Sequence, residues 1–274
     1  MIEGEIPRFF FYLKELSMKN VLVVGGSSGI GLTLIDELLQ KGGHRIYNVD
    51  IKYNEDLIGP VECYQCDLSN NDAIYEAIGL VLGDLAKHNM SLSRTNPEEV
   101  QPGFDAVYYC AGIAEEPTAD LKTDFNLIDK LIAVNSSSLI KVLSMVTPVI
   151  IPGGSIVVVS SAHSQRAANW NPIYSGTKGF IDAFVRSYAK NLVEAAHRSG
   201  KTPVRINAVN PEMVDTPLIH DLFIGKEDEL QKVINGRILH RLLKSSEVTA
   251  VMHYLASPAA SGVTGTVNPI GGVI

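Results

Sequence analysis

The chain alternates between two kinds of hydrophobic pattern. Asn20–Gly25 (NVLVVG) is a short apolar run that ends on glycines, as expected of a strand buried on both faces of a parallel sheet. Ile30–Leu39 then switches to helical spacing of its apolar positions. Arg45–Asp50 reads as a second strand and Val61–Cys66 as a third. Further strands are predicted at Asp105–Cys110, Ser155–Ser160, Val204–Val209 and Thr266–Ile270, with helices over 71–87, 125–149, 174–197 and 246–256. Such alternation predicts an α/β fold: one doubly wound parallel sheet with helices on both faces, a Rossmann fold, over residues 18–274. Two stretches break the rhythm. Residues 83–103 read as a helix end followed by a polar loop. Residues 215–244 mix Pro217, apolar residues and charges, and are expected to form a lid over the ligand crevice.

Composition narrows the function classes. Of 274 residues 46% are hydrophobic and 19% charged, which suits a large buried core. The net charge is −7 and no long basic run occurs, so neither nucleic acid nor a membrane is an expected partner. No apolar run reaches the length of a membrane-spanning helix. Residues 1–17 carry Glu3 and Glu5 before the short run Phe9–Leu13, unlike a secretory signal. They read as an N-terminal extension that packs on the domain or on a neighbouring subunit, or the natural start is Met18. Cys63 and Cys66 have CxxC spacing, but on a strand positions three apart face opposite sides, so packing cysteines are favoured over a metal or redox pair. A cytoplasmic location is the expectation, and no metal is expected.

Gly25-Gly26-Ser27-Ser28-Gly29-Ile30-Gly31 lies between the first strand and the first helix. Glycines allow a tight turn and close approach of backbone to a pyrophosphate, and the helix start offers free N–H groups. Asp50 closes the second strand, where a carboxylate can accept a hydrogen bond from a ribose 2′-hydroxyl and repel a 2′-phosphate. NAD is therefore the expected cofactor, with Lys52 keeping NADP open as the second choice.

Tyr174 and Lys178 are four apart on a predicted helix, on one face. Lowering a phenol pKa by three units takes about 4 kcal/mol. A cation about 4 Å away at an effective dielectric near 20 supplies that much, so Lys178 is sufficient in magnitude. Ser160 and Ser161 end the preceding strand, at the sheet edge where ligands bind. Asn135 stands in the apolar setting IAVNSSSLI and needs a backbone or water partner if buried. Asn210–Pro217 follows another strand, where a loop meets the nicotinamide end of a dinucleotide.

With these residues in place, the chain resembles the short-chain dehydrogenase/reductase family over essentially all of residues 18–274. Gly25, Gly29 and Gly31 resemble TGxxxGxG, with Val24 where Thr is usual. Asp67-Leu68 matches the acid near the adenine. Cys110-Ala111-Gly112 matches NAG with Cys for Asn. Pro211–Thr216 resembles PGxxxT with Glu212 for Gly, and Thr264-Gly265 and Gly271-Gly272 resemble the C-terminal segment. The resemblance implies a tetrad of Asn135, Ser161, Tyr174 and Lys178. Tyr174 is then the general acid or base, Ser161 polarises the substrate oxygen, and Lys178 lowers the Tyr174 pKa and holds the nicotinamide ribose. Asn135 holds a relay water. It also implies cofactor contacts from Gly25, Ser27, Ser28, Gly29, Ile30, Gly31, Asp50, Ile51, Asp67, Leu68, Cys110, Ala111, Gly112, Tyr174, Lys178, Pro211, Val214 and Thr216. Hydride transfer between NAD(H) and a secondary alcohol or ketone follows, on a small-molecule substrate that is apolar, a steroid or other cyclic alcohol among them. Substrate contacts are expected from His163, Trp170 and Met213, with Gln165, Ile173, Leu218 and Phe223 nearby. For His163 a solvent-facing loop position is preferred. A homo-oligomer, dimer or tetramer, is implied, through helices such as 125–149 and 174–197. The competing reading is a catalytically weak dinucleotide-binding regulatory or scaffold protein, favoured only by Glu212 and Cys110. A sugar-nucleotide epimerase is set aside because no large substrate domain follows Gly272.

Overall fold

The NVLVVG run forms β1 (Lys19–Val24), and in a computed structural model it is an interior strand of a seven-stranded parallel sheet. The structure describes residues 18–93, 103–115, 124–166 and 171–272. The expectations for residues 1–17, for the loop beyond 93 and for Trp170 lie outside the described residues. The other strands are β2 (His44–Asp50), β3 (Val61–Gln65), β4 (Phe104–Tyr109), β5 (Ile150–Val159), β6 (Arg205–Pro211) and β7 (Val267–Ile270). Their order is β3-β2-β1-β4-β5-β6-β7, so the chain winds one way from β1 and the other way from β4. The expected doubly wound fold is the observed one. Its crevice opens beyond the carboxyl ends of β1 and β4, where such sheets bind ligands. Register brings the chemistry there: Val24 pairs with both Val49 and Tyr109, and Val159 pairs with Val209. Gly25, Asp50, Cys110, Ser160 and Asn210 thus leave the sheet at one edge.

Alternation along β1 explains the layers. Leu22 and Val24 join a core with α2 (Asn71–Ser93), α4 (Ser138–Val146) and α5 (Pro172–Ser199), through residues such as Ile78, Leu143 and Ile181. Val21 and Val23 join a second core with α1 (Gly29–Lys41) and α8 (Ser245–Ala256), through Leu34, Ile35 and Met252. A strand buried on both faces has no polar alternation to keep, hence the continuous apolar run.

The single helix expected over 125–149 differs in detail. It is α3 (Phe125–Ile132), a π turn (Ala133–Ser137), α4, and a closing 3-10 turn (Thr147–Val149). By length and composition Phe125–Val149 could cross a membrane, unlike the expectation from run length alone. Its apolar face (Leu131, Val134, Leu139, Val142 and Val146) is buried in the protein. The helix expected at 71–87 runs on to Ser93. The 215–244 excursion carries α6 (Pro217–Leu222) and α7 (Glu227–Asn235), and closes at its base by a bridge between Val214 and Leu243. The three cysteines are free. Cys66 belongs to the core, and burial pushes its thiol pKa up to about 11.

Candidate active site

The glycine turn is built so that side chains are excluded. A Cβ on Gly31 would lie 2.0 Å from the Gly25 carbonyl oxygen, and one on Gly25, which has φ of +85°, would lie 2.5 Å from the Ala111 nitrogen. Ser28 stands at the start of α1 without a side-chain cap, so the helix N–H groups face the turn. Asp50 is tied to the turn, its carboxylate accepting from Ser27 N at 2.9 Å and from Lys52 N at 3.0 Å. Asn48, on β2, accepts from Gly26 N at 3.1 Å and donates to the Ser27 hydroxyl at 3.1 Å. The Cβ and Cγ2 of Thr216 sit 3.2–3.4 Å from where a Gly29 Cβ would stand, which brings the loop after β6 over the turn. Gly31→Ala is expected to cost about 2 kcal/mol, because the atoms it meets are backbone. Thermal unfolding together with NADH titration checks this, and an unchanged midpoint with unchanged affinity would contradict it.

Other expected cofactor contacts fall in different settings. Asp67 accepts from both N and Oγ of Ser69, and these bonds hold its carboxyl below the usual carboxylate range. Leu68 is buried in the core, whereas Ile51 is exposed and its carbonyl accepts from Gln65. Cys110 N and Ala111 N both donate to the Val24 carbonyl, and burial pushes the Cys110 thiol pKa up to about 12.

The four tetrad residues converge. Asn135 is fully buried inside the π turn, where a widened helical turn aims its carboxamide across to the loop after β4. Its Oδ1 accepts from Ile113 N at 2.8 Å, and its Nδ2 donates to the Ile113 carbonyl at 2.8 Å and to Thr177 Oγ1 at 3.1 Å. The side chain is therefore a clamp between that loop and α5, and its amide hydrogens are used by protein. Lys178 is buried on α5, its Nζ donating to the Val159 carbonyl at 2.9 Å and standing 5.6 Å from the Tyr174 ring centroid. A Cβ on Gly112 would approach Lys178 Nζ to 3.3 Å and Asn135 Oδ1 to 3.5 Å, so the glycine gives the two side chains room.

Desolvation dominates the electrostatics at Tyr174. Burial raises the phenol above its ordinary value; a hydrogen bond with Ser161 opposes this, and the Glu115 charge adds to it. Lys178 itself is pushed down to about 8 by burial, and its ammonium donates to the Val159 carbonyl while standing over the Tyr174 ring. His163 departs from the expected solvent-facing loop position. It is half-buried: its ring packs edge-on against Tyr174 with centroids 5.9 Å apart, and burial pushes its pKa down to about 4, so it is a neutral imidazole.

Ser160 and Ser161 separate cleanly. Ser160 turns inward, donating to the Lys178 carbonyl and to Asp182 Oδ1. Ser161 opens toward a cleft that it shares with Tyr174, Lys178, His163 and Met213. Ile30, Gly112, Pro211, Val214 and Thr216 line the same cleft, which makes it continuous with the glycine turn. Leu218, Ile219, Leu222 and Phe223 of the excursion cover its other wall. Gln165 turns to Asp182 and Ile173 N to Glu115, so neither joins the wall.

Glycine turn, clamp and serine–tyrosine–lysine cleft now stand on one sheet edge, and sequence comparison gives them a lineage. The family described as enoyl-(acyl carrier protein) reductase matches residues 25–272. The chain belongs to the short-chain dehydrogenase/reductase family. An uncharacterised oxidoreductase of Bacillus subtilis, YmfI, is 26% identical over 264 residues, 93% of this chain and 98% of the relative. Among solved structures, a short-chain dehydrogenase family protein from Francisella tularensis superposes with a TM-score of 0.77 at 24% identity, covering 92% of this chain and 97% of its own. A 3-ketoacyl-(acyl-carrier-protein) reductase from Brucella melitensis, complexed with NADH, superposes at 0.71 with 21% identity, covering 93% and 97%. The protein is thus an oxidoreductase of this family.

Two site residues escaped the sequence reading. Glu115 is buried and its carboxylate accepts from Ile173 N at 3.1 Å and Tyr174 N at 3.2 Å. It caps α5 in place of Asn171, whose own side chain donates to the Glu115 carbonyl. Nothing local marks this pairing, which spans 59 residues. Asp182 is buried one turn beyond Lys178 and gathers four hydrogen bonds; its place on the Lys178 face was the available signal.

Proposed function

We propose that the protein transfers a hydride between NAD(H) and a secondary alcohol or ketone. The observation that carries this reading is the joining of Ser161, Tyr174 and Lys178 around one cleft that runs into the glycine turn. The turn suits a dinucleotide: its glycines leave a cradle that any Cβ would fill, the α1 N–H groups face it, and Asp50 stands beside it. Gly25, Ser27, Ser28, Gly29, Ile30 and Gly31 would hold the pyrophosphate and Asp50, with Ile51, the adenine ribose. Asp67 and Leu68 would flank the adenine. Cys110, Ala111, Gly112, Pro211, Val214, Thr216, Tyr174 and Lys178 would border the nicotinamide half. The bound nicotinamide supplies or accepts the hydride.

The chain's own residues handle the proton and the oxygen. Ser161 donates a hydrogen bond to the substrate oxygen. Tyr174, kept in its phenol form by burial, donates a proton to that oxygen as a ketone is reduced, and takes it back as the alcohol is oxidised. Lys178 stabilises the phenolate that forms. Asn135 fixes the loop after β4 to α5 and so fixes the distance between Tyr174 and the cofactor wall. The apolar cover of Met213, Leu218 and Phe223 favours an apolar substrate, a steroid or other cyclic alcohol included, with neutral His163 beside the reacting oxygen. We also propose a cytoplasmic setting, which the free cysteines suit. We propose a homo-oligomer, which the exposed Ile132, Ile140 and Phe180 on the expected contact helices suit.

A panel of secondary alcohols, with an acetoacetyl thioester for the reverse direction, tests this with NAD and NADP by nicotinamide absorbance. Turnover is expected with NAD. Asp50→Ser is expected to erode the preference for NAD over NADP by about tenfold, or about 1.4 kcal/mol, since it removes the charge facing a 2′-phosphate. A parent enzyme that prefers NADP by that margin would overturn the assignment of Asp50.

A further inference from the structure

Glu212 stands where the resembling segment has glycine, and its side chain is a buried ionic junction. Oε1 accepts from Arg166 Nη1 at 2.7 Å, and Oε2 accepts from Arg166 Nη2 at 3.3 Å and lies 3.2 Å from Arg237 Nη1. Side-chain exposure is 9% for Glu212, 17% for Arg166 and 10% for Arg237. Burial raises the Glu212 carboxyl and Arg166 opposes that. The three residues belong to three segments. Arg166 closes the turn that begins at Ser161, its N–H donating to the Ala162 carbonyl. Glu212 follows β6 and lines the cleft. Arg237 lies just beyond α7, in the excursion whose other limb, α6, covers the cleft.

The excursion does not depend on this junction alone for closure. The base of the excursion is already closed by backbone bonds, Asp215 N to the Leu243 carbonyl and Leu243 N to the Met213 carbonyl, both 2.8 Å. Buried ion pairs add little net stability over apolar side chains of similar size. What the junction does contribute is geometry: one rigid carboxylate connects the serine turn to the covering excursion. We propose that Glu212 is a positioning residue, which seats the excursion against the Ser161 turn so that a substrate held by α6 meets the serine in register. The proposal rests on the hydride-transfer reading of the cleft.

Arg237→Met, Arg166→Met and Glu212→Gln in the full chain separate this from a purely structural role. Arg237→Met leaves the Arg166–Glu212 pair and frees the excursion. It is expected to raise KM for the best panel alcohol by at least about fivefold, near 1 kcal/mol, with a smaller fall in kcat, faster amide hydrogen exchange over residues 217–223, and unchanged NADH affinity. Arg166→Met is expected to act mainly on kcat, because it loosens the serine turn. Glu212→Gln strands two buried arginines, and if it fails to fold the two arginine variants still carry the test. Lower melting temperatures with KM, kcat and exchange at 217–223 unchanged would reduce the junction to a structural brace and overturn the proposal. If the parent turns over no panel alcohol, the hydride-transfer reading fails, and the exchange measurement still decides whether the junction seats the excursion.

Discussion

Tyr174→Phe lowers kcat by about 10²–10⁴-fold, the range for loss of a positioned proton donor, and leaves NADH affinity and melting temperature close to those of the parent. The hydroxyl is the group removed, while the ring keeps its edge-on contact with His163 and its place 5.6 Å from Lys178 Nζ. The backbone N–H of residue 174 still donates to Glu115, so the cap on α5 survives. Steady-state kinetics with the best panel substrate, beside an NADH fluorescence titration, read the two effects separately. Retained turnover in the phenylalanine variant would remove Tyr174 from the mechanism. The pH profile carries the same logic. A general acid must be protonated to act, so ketone reduction is lost as pH rises, and loss of the Lys178 ammonium above about 8 adds to the decline. Alcohol oxidation runs the opposite way. His163, neutral above about 4, contributes no inflection near neutrality.

Asp182→Ala destabilises the protein by about 3 kcal/mol, because buried donors that lose their acceptor cost about 1–3 kcal/mol each. Its Oδ1 accepts from Ser160 Oγ at 2.7 Å, and its Oδ2 accepts from Ser164 Oγ at 2.7 Å, Asn210 Nδ2 at 3.1 Å and Gln165 Nε2 at 3.2 Å. Those donors come from the ends of β5 and β6 and from the turn that carries Ser161. Without the carboxylate, two hydroxyls and two amides compete for fewer acceptors in a site that water reaches poorly. For a domain of this size each kcal/mol moves the melting midpoint by about 2–4 °C, so a fall near 10 °C is expected. Ser164 also donates to the Ser161 carbonyl at 2.7 Å, and kcat is expected to drop with the disordered turn. Asp182→Asn keeps the volume but points an amide at donors, so it recovers little. A midpoint within about 2 °C of the parent for the alanine variant would show that the network is dispensable.

The fold was legible because a doubly wound sheet writes itself locally. Strands buried on both faces need continuous apolar runs, and helices between them need a 3.6-residue period, so the doubly wound sheet and its crevice edge followed from pattern. The glycine turn was legible for the same reason: the requirement that no side chain stand at Gly25 or Gly31 is met by a residue type visible in one letter. Tyr174 and Lys178 were legible through helical spacing, and Ser160 and Ser161 through their place at a strand end, with the family resemblance singling out Ser161.

Tertiary structure decided the rest, because the deciding contacts join residues far apart in the chain. Asn135 became a clamp only when the π turn aimed it at Ile113, 22 residues away. The Tyr174 pKa rises because burial, joined by the Glu115 charge, outweighs the Ser161 hydrogen bond, a balance of desolvation and contact that spacing along a helix does not contain. His163 reads as a loop residue until the fold presses it against Tyr174. Glu212 looked like a flaw in a familiar segment, and two arginines from separate loops make it a junction. Local patterns set which elements form and what chemistry their residue types can perform; three-dimensional packing sets which charges meet, how dry they are, and therefore what each group does.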